Sequence, residues 1–168
     1  MKKLLLIRHA KSSWDSPGAS DFDRPLDDRG LRDAPVMARA LAGRDVRPDL
    51  IFASAAKRTR ETARILTEGL NAEEFSTSES LYLASGKQIL REVAGLDEKT
   101  ETAMIIGHNP GMHDAVETLC GVGTVDSFPT LAVARIELPV EFWGEISPRV
   151  GIMTELLTPA TLEEVASS

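Results

Sequence analysis

The pattern of apolar and polar residues along the chain predicts strands that alternate with helices. Three short runs, residues 2–9, 49–54 and 102–108, are rich in leucine and isoleucine, as is typical of strands covered on both faces. Apolar residues at helical spacing predict helices over residues 27–44, 55–70, 86–96 and 109–121. This alternation favours right-handed crossovers. The expected fold is therefore an α/β three-layer sandwich with a mostly parallel central sheet flanked by helices.

Prolines and the last third of the chain add detail to this pattern. Pro35 either kinks the first helix or marks a fresh start after Asp33. Asn109 is the expected N-cap of the fourth helix, with Pro110 at its first position. Beyond Phe128, residues 130–138 and 143–157 are predicted to form two further strands, as an antiparallel hairpin at the sheet edge.

The composition is that of an ordinary soluble protein. Of the 168 residues, 42% are hydrophobic and 27% are charged, and no repeat or linker interrupts the chain, so residues 1–168 are expected to form one domain. No apolar segment has the length of a membrane span, and the N-terminal apolar run lacks a signal-peptide cleavage site. The single cysteine, Cys120, is expected to be a small apolar side chain in a helix, which suits a reducing cytoplasm. The net charge of −7 argues against general affinity for nucleic acid.

Candidate chemistry lies at the ends of the three apolar strands. The first strand ends in Arg8 and His9. The second ends in Ser54, just before a helix whose first turn contains Arg58, and the third ends next to His108. Ligands of open α/β sheets bind at the carboxyl ends of the strands, so these side chains should converge if the strands are neighbours.

Two arginines and two histidines together suit a tetrahedral dianion such as phosphate. Arginine forms bidentate, charge-assisted bonds to phosphate oxygens, and a helix start after Ser54 would add backbone N–H groups. Once the charge is neutralised, a neutral imidazole nitrogen can attack phosphorus to form a covalent phosphoryl-enzyme. The sequence has no carboxylate cluster and no Walker-type glycine loop, so no metal and no cofactor is expected.

These residues resemble the signatures of a known family. RHAKSSWD (8–15) resembles the RHG-type signature of the histidine phosphatase superfamily, which includes phosphoglycerate mutases, many phosphatases and SixA-type phosphohistidine phosphatases. SAAKRTRETA (54–63) resembles its Ser, Arg and Thr-Ala segment, and GHNPGM (107–112) resembles its second-histidine motif. The motifs occur in family order, and the resemblance extends over about residues 2–120. It implies a phosphoglycerate mutase-like fold and four site residues: His9 as phosphorylated nucleophile, Arg8 and Arg58 as phosphate-binding residues, and His108 as the second phosphate-pocket histidine.

Details of the motifs resemble the SixA-type branch. Ala10 stands where mutases usually have glycine, GHNP has the SixA-like form, and residues 21–30 resemble the branch's Arg-Pro-Leu segment before the first helix. The chain also has no room for the insertions that close over the pocket in mutases and sugar bisphosphatases of the family. The resemblance thus implies an open site, which suits a phosphate presented by another protein.

The general acid of the larger family has no clear counterpart in this sequence. Members that cleave phosphate esters usually supply a Glu shortly after the strand that follows the second helix, and Tyr82 stands roughly at that place. Glu79 is the nearest candidate acid, and Asp21 and Asp23 are further candidates, although each is typical of a solvated surface charge. An alkoxide leaving group needs a proton, whereas the imidazole of phosphohistidine can leave neutral once its own ring is protonated. A missing acid therefore favours a P–N bond substrate.

Other polar residues lie near the motifs. Lys11 and Ser12 border the nucleophile and are candidate substrate contacts, while Trp14 either lines the pocket mouth or packs the loop against the fold. The following are expected to lie outside the pocket as solvated or unrelated side chains: Lys57, Arg60, His113, Glu155 and the acidic tail 162–168.

Three functional hypotheses remain. The first is a metal-independent cytoplasmic phosphatase that removes phosphate from phosphohistidine in a signalling or phosphotransfer protein through phosphorylated His9. The second is a broad small-molecule phosphomonoesterase of the same fold. The third is a non-catalytic phosphoprotein-binding module, which is disfavoured because both histidines and both arginines are present. Neither nucleic acid nor a membrane is an expected partner.

Overall fold

Six strands form one mixed sheet in the computed structural model, which describes residues 1–15 and 17–167, with side chains described up to residue 164. The strands are β1 (Lys2–Arg8), β2 (Leu50–Ser54), β3 (Ser76–Ser78), β4 (Thr102–Gly107), β5 (Val133–Leu138) and β6 (Ile152–Leu157). Their order across the sheet is β3-β2-β4-β1-β5-β6. The first four strands pair in parallel, whereas β5 runs antiparallel to both β1 and β6. The predicted parallel centre and antiparallel edge hairpin are confirmed.

Helices cover both faces of this sheet. They are α1 (Asp28–Gly43), α2 (Lys57–Gly69), α3 (Gly86–Ala94), α4 (Gly111–Cys120) and α5 (Pro159–Ser167). Leu41 of α1 and Leu66 of α2 share one hydrophobic core with Ile7 of β1, whereas Val116 of α4 shares the opposite core with Leu6. Because successive strand residues point to opposite cores, β1 is an unbroken apolar run, and the predicted three-layer α/β sandwich is confirmed. No helix in the described part of the chain is long and apolar enough to cross a bilayer.

The structure answers the predictions made for Pro35 in α1 and for the start of α4. Helix α1 is continuous through Pro35, and its N-cap Asp27 accepts a hydrogen bond from the N–H of Gly30 at 2.8 Å. Helix α4 begins one residue later than expected, so Pro110 is its N-cap by position. The side chain of Asn109 still caps the first turn as predicted, because its Oδ1 accepts from the N–H of His113 at 3.2 Å. Its Nδ2 also donates to the carbonyl oxygen of Phe128 at 2.7 Å.

The C-terminal third departs further from the pattern. The strand predicted over 143–157 begins only at Ile152, because Trp143 turns inward and its indole N–H donates to the carbonyl oxygen of Thr100 at 2.8 Å. Strand β3 was not predicted, since its three residues are polar. The tail expected as solvated surface forms part of α5: Glu163 and Glu164 are exposed as predicted, whereas Leu162 packs against the core. Ser168 of that tail lies outside the described residues.

Helix α1 approaches the loop after β1 so closely that only glycine fits at Gly30. A Cβ at this position would overlap the carbonyl oxygen of Lys11. We expect Gly30→Ala to lower the free energy of unfolding by about 1–3 kcal/mol, as overpacking does. Gly43→Ala is the matched control in the same helix, because no heavy atom lies within 4 Å of a Cβ there. Urea denaturation of both variants tests this, and equal midpoints would contradict it.

Candidate active site

The carboxyl ends of β2, β4 and β1 lie side by side and bring the predicted residues together. Arg8 pairs with Gly107 in the β1–β4 register, and beyond the strand end the N–H of His9 donates to the carbonyl oxygen of Gly107 at 3.1 Å. The rings of His9 and His108 are therefore neighbours, with centroids 5.3 Å apart. Arg58, in the first turn of α2, reaches both rings. All four predicted side chains line one cleft of about 200 Å³.

The His9 ring is held in one neutral tautomer. Its Nδ1 lies 2.7 Å from the carbonyl oxygen of Ala10, and because a carbonyl oxygen can only accept, Nδ1 carries the proton. Nε2 therefore keeps its lone pair and faces the Nε–H of Arg58 at 3.4 Å. Burial of the ring, helped by the neighbouring cations, lowers the pKa of His9 to about 3. The ring is thus uncharged at neutral pH, as a nucleophilic imidazole must be.

His108 is held in the opposite tautomer. Nη2 of Arg58 lies 3.2 Å from Nδ1 of His108, and because a guanidinium can only donate, this Nδ1 is the acceptor. The proton on Nε2 is then donated to Oγ of Ser54 at 2.8 Å. Burial, followed by the charge of Arg58, lowers the pKa of His108 to about 4. The positive charge of the cleft at neutral pH therefore comes from its arginines and Lys11 and not from histidine.

Arg58 is the central cation of the cleft, and only 3% of it is exposed. Besides the two imidazole rings it contacts Asp21, donating through Nη1 to the carbonyl oxygen at 2.7 Å and through Nη2 to Oδ2 at 3.1 Å. These bonds fix the orientation of the guanidinium fork, a geometry that matches phosphate oxygens.

Two further arginines bring donors to the cleft. Arg8 is half-buried and donates through Nη1 to the carbonyl oxygen of Phe128 at 3.3 Å. Arg24 is buried between the hydroxyl of Ser12, to which it donates, and the ring of Trp14, whose centroid lies 3.5 Å from the guanidinium carbon. The Nε–H groups of both arginines are buried and have no hydrogen-bond partner within the described ranges. Unused buried donors favour the binding of an anion.

Asp21 is the one carboxylate among the described residues that line the cleft. Its Oδ2 accepts from the hydroxyl of Tyr82 as well as from Arg58. Burial alone would raise the pKa of Asp21, but the hydrogen bond from Tyr82 and the charges of Arg58 and Arg24 lower it. Asp21 is therefore ionised at neutral pH and is not suited to donate a proton to a leaving group.

The other candidate acids do not line the cleft. Glu79 begins a 3₁₀ turn (Glu79–Leu81), and Asp23 accepts from the hydroxyl of Ser20 at 3.0 Å. Tyr82, at the place expected for the acid, has its ring centroid 5.5 Å from that of His108. The pKa of Tyr82 is raised because its hydroxyl donates to the Asp21 carboxylate. The described part of the cleft thus contains no protonated carboxyl group at neutral pH.

The residues that follow His9 do lie at the cleft. Lys11, Ser12 and Trp14 all line it. The hydroxyl of Ser12 is occupied by Arg24, so this serine holds the arginine in place. Trp14 is 75% exposed and stacks on Arg24, which places it at the mouth of the cleft and not in the core.

Several residues expected outside the pocket are indeed outside it. His113 contacts Glu117 across 3.2 Å on the surface of α4. Lys57 and Arg60 are exposed on α2. Cys120 is half-buried at the end of α4, and burial raises the pKa of its thiol.

Glu155, in contrast, is not a solvated surface charge as predicted. Its carboxylate accepts from Arg44 at 2.9 Å and from Arg135 at 2.8 Å. Burial would raise the pKa of Glu155, but these two partners lower it. Both arginines line a second cleft of about 320 Å³ at the amino ends of β1 and β4, where no histidine is among the described lining residues. The cleft of about 200 Å³ that contains His9 and His108 is therefore the candidate active site.

Sequence analysis missed residues that build the site. Arg24 stood in the segment that resembles the SixA branch, but nothing in the pattern placed it in the cleft. Thr62 accepts from the N–H of Ala10 at 3.1 Å and donates to the carbonyl oxygen of Arg58 at 2.8 Å. Thr62 thereby joins the loop that follows β1 to the helix of Arg58. The Thr-Ala pair of the family segment was the available indication of this role.

The polar groups of the cleft favour an anion over a cation. Its charged side chains are mostly basic, and in the described ranges no group of three or more His, Cys, Asp or Glu side chains is arranged to hold a metal ion. Guanidinium donors gathered around one space are the arrangement that binds a tetrahedral oxyanion.

Comparison with known proteins agrees with this arrangement. Residues 4–82 match the family model of the histidine phosphatase superfamily (branch 1). The crystal structure of a protein assigned as the phosphohistidine phosphatase SixA of Agrobacterium tumefaciens is 29% identical in sequence and superimposes with a TM-score of 0.82, over 94% of this chain and 98% of that one. The chain belongs to the histidine phosphatase superfamily. Its predicted relation to the SixA-type branch of the superfamily is confirmed.

Two curated relatives show how far the sequence similarity extends. An uncharacterized chloroplastic protein of Arabidopsis thaliana is 34% identical over 136 residues, which are 71% of this chain and 60% of that protein. The chain therefore spans less than two thirds of this relative. Phosphoserine phosphatase 1 of Hydrogenobacter thermophilus is 37% identical over 75 residues, or 44% of this chain and 35% of that enzyme.

Proposed function

We propose that this protein is a phosphatase in which Nε2 of His9 attacks the phosphorus of phosphohistidine presented by another protein. The observation that supports it most directly is the tautomer of His9. The bond from Nδ1 to Ala10 leaves the Nε2 lone pair directed at Arg58, in a ring whose pKa of about 3 keeps it neutral.

The proposed reaction has two steps, and neither draws on a cofactor. In the first, Nε2 of His9 forms a bond to phosphorus while the bond to the leaving group breaks and its electron pair departs with that group. Arg8 and Arg58 neutralise the charge on the phosphoryl oxygens. In the second, water forms a bond to phosphorus and the bond to His9 breaks, which releases phosphate and restores the neutral imidazole.

Two features of the cleft favour a phosphorylated protein with a P–N bond. Asp21 is ionised, so the described cleft offers no carboxylic acid to protonate an alkoxide. Two exposed apolar side chains, Trp14 and Leu83, lie at the mouth of the cleft and are 75% and 58% exposed. Because tryptophan is enriched in protein–protein interfaces, Trp14 suits contact with a protein that presents the phosphate.

A small-molecule phosphomonoesterase is the second candidate. The observation in its favour is the similarity to the phosphoserine phosphatase of Hydrogenobacter, which extends over 44% of this chain. A non-catalytic binding module is less well supported, because the paired neutral tautomers of His9 and His108 serve chemistry and are not needed for binding alone.

Rates of hydrolysis of a phosphohistidine-bearing protein and of a panel of phosphate esters distinguish the two candidate functions. We expect kcat/KM for phosphohistidine to exceed that for alkyl phosphates by about 10²-fold or more, the size of the missing general-acid contribution. Among aryl phosphates, rates should rise steeply as the pKa of the leaving group falls. Addition of EDTA should change none of these rates.

Comparable rates for alkyl phosphates and phosphohistidine would favour the phosphomonoesterase instead. Inactivation by EDTA that a divalent metal reverses would contradict the proposed mechanism.

A further inference from the structure

We infer that Asp21 is a specificity residue, whose carboxylate selects leaving groups that present a protonated nitrogen by accepting a hydrogen bond from the N–H of the departing imidazole. This inference rests on the proposed phosphatase function and adds a residue that recognises the leaving group.

The hydrogen bonds of Asp21 leave one of its oxygens available. Oδ2 accepts from Arg58 and from Tyr82, whereas Oδ1 has only an ion-pair contact of 3.3 Å to Arg24 and no hydrogen bond from the described residues. The side chain is 42% exposed and lines the cleft. A carboxylate oxygen has room for a further donor, so Oδ1 can accept one from a bound group.

The position of Asp21 relative to the nucleophile suits contact with the leaving group. The guanidinium of Arg58 faces Nε2 of His9 with its Nε and faces Asp21 with its Nη atoms. Nε2 of His9 and the Asp21 carboxylate thus lie at two edges of one guanidinium, which fills the direct line between them. A phosphoryl group bound at Nε2 would lie on the open side of this guanidinium, and an in-line displacement there would direct the departing ring toward the edge that Asp21 occupies.

The charges around Asp21 keep it anionic. Arg58 faces it from α2, Arg24 from the loop before α1, and Tyr82 from the segment before α3. Behind Arg58 lie the neutral rings of His9 and His108 and the charge of Arg8, at the ends of β1 and β4. The lowered pKa of the Asp21 carboxyl agrees with these surroundings.

An anion at this place helps a nitrogen leaving group and not an ester oxygen. The ring of phosphohistidine carries a positive charge when its second nitrogen is protonated, and Asp21 stabilises that form. When His9 forms its bond to phosphorus, the P–N bond of the substrate breaks and its electron pair returns to the ring. The substrate imidazole then leaves neutral and keeps its own N–H proton, whose hydrogen bond Asp21 accepts, so no other acid takes part.

The test compares Asp21→Asn with the parent on phosphohistidine, on phosphoramidate and on an aryl phosphate with a good leaving group. We expect kcat/KM for the two P–N substrates to fall about tenfold relative to the aryl phosphate, which is about 1.4 kcal/mol. The variant should also lose activity on phosphohistidine at a pH about one unit lower, because the nearby anion no longer holds the ring proton. Phosphoramidate separates this effect from contacts with a protein substrate.

Asp23→Asn is the matched control, two residues away in the same 3₁₀ turn and bound to Ser20. It should resemble the parent on every substrate. If Asp21→Asn slows all three substrates equally and leaves the pH profile in place, Asp21 only positions Arg58 and the inference is wrong. If the parent itself does not hydrolyse phosphohistidine, the proposed function is wrong, and this outcome is distinct from one in which only the role of Asp21 is wrong.

Discussion

Replacement of His9 by alanine is expected to lower kcat/KM by at least about 10⁴-fold, or about 5.5 kcal/mol of transition-state stabilisation. The reason is that no other side chain offers a neutral imidazole lone pair at the phosphorus. His108 donates its Nε2–H to Ser54, and its Nδ1 lone pair accepts from Arg58 at 3.2 Å, a shorter contact than the 3.4 Å from Arg58 to Nε2 of His9, so the lone pair of His9 is the more available one. In the parent, an alkaline quench during turnover should trap an acid-labile phosphoryl group on His9, and His9→Ala should not be labelled.

His113→Ala provides the control for this experiment. The protein has three histidines, and His113 is the one that lies outside the cleft, beside Glu117. This variant should retain both label and turnover. Labelling of His9→Ala, or label that maps to His108 in the parent, would show that His9 is not the nucleophile and would contradict the proposed mechanism.

Much of the fold could be predicted because a strand buried on both faces appears in the sequence as an unbroken apolar run. The apolar runs of β1, β2 and β4 mark the strands, and their parallel pairing fixes which end of the sheet collects Arg8, His9 and His108. The elements that were not predicted lack such an apolar run. Strand β3 is three polar residues at an edge, and the first part of the segment 143–157 is held by Trp143 and not by strand pairing.

The electrostatic partners in the cleft could not be predicted because they depend on contacts distant in sequence. The sequence offers Asp21 only as a further candidate acid beside Glu79, and its place in the site becomes apparent from its contacts with Arg58, Arg24 and Tyr82. The same contacts that bring Asp21 into the site also hold it ionised, which removes it as an acid. Glu155 likewise resembled a surface charge, because its partner Arg44 is 111 residues away along the chain.

Loss of the Arg58 guanidinium is expected to have the second largest effect. Arg58→Ala should lower kcat/KM by about 10³-fold, or about 4 kcal/mol, because a buried cation that neutralises the phosphoryl charge is removed. Arg58→Lys keeps the charge but not the fork that contacts His9, His108 and Asp21 together, so a loss of about 10²-fold is expected despite the conservative change.

A second measurement distinguishes this electrostatic role from general damage to the fold. The charge of Arg58 helps to lower the pKa of His108 to about 4, and a nearby cation disfavours the protonated ring. In Arg58→Ala an NMR titration should therefore show the pKa of His108 raised, although only in part, because burial is the larger cause and persists. Arg60 lies two residues further along α2, is exposed and donates to the carbonyl oxygen of Ala55, so Arg60→Ala should leave both activity and titration unchanged. Full activity of Arg58→Lys, or an unchanged His108 titration in a folded Arg58→Ala, would show that the guanidinium does not organise the cleft as proposed.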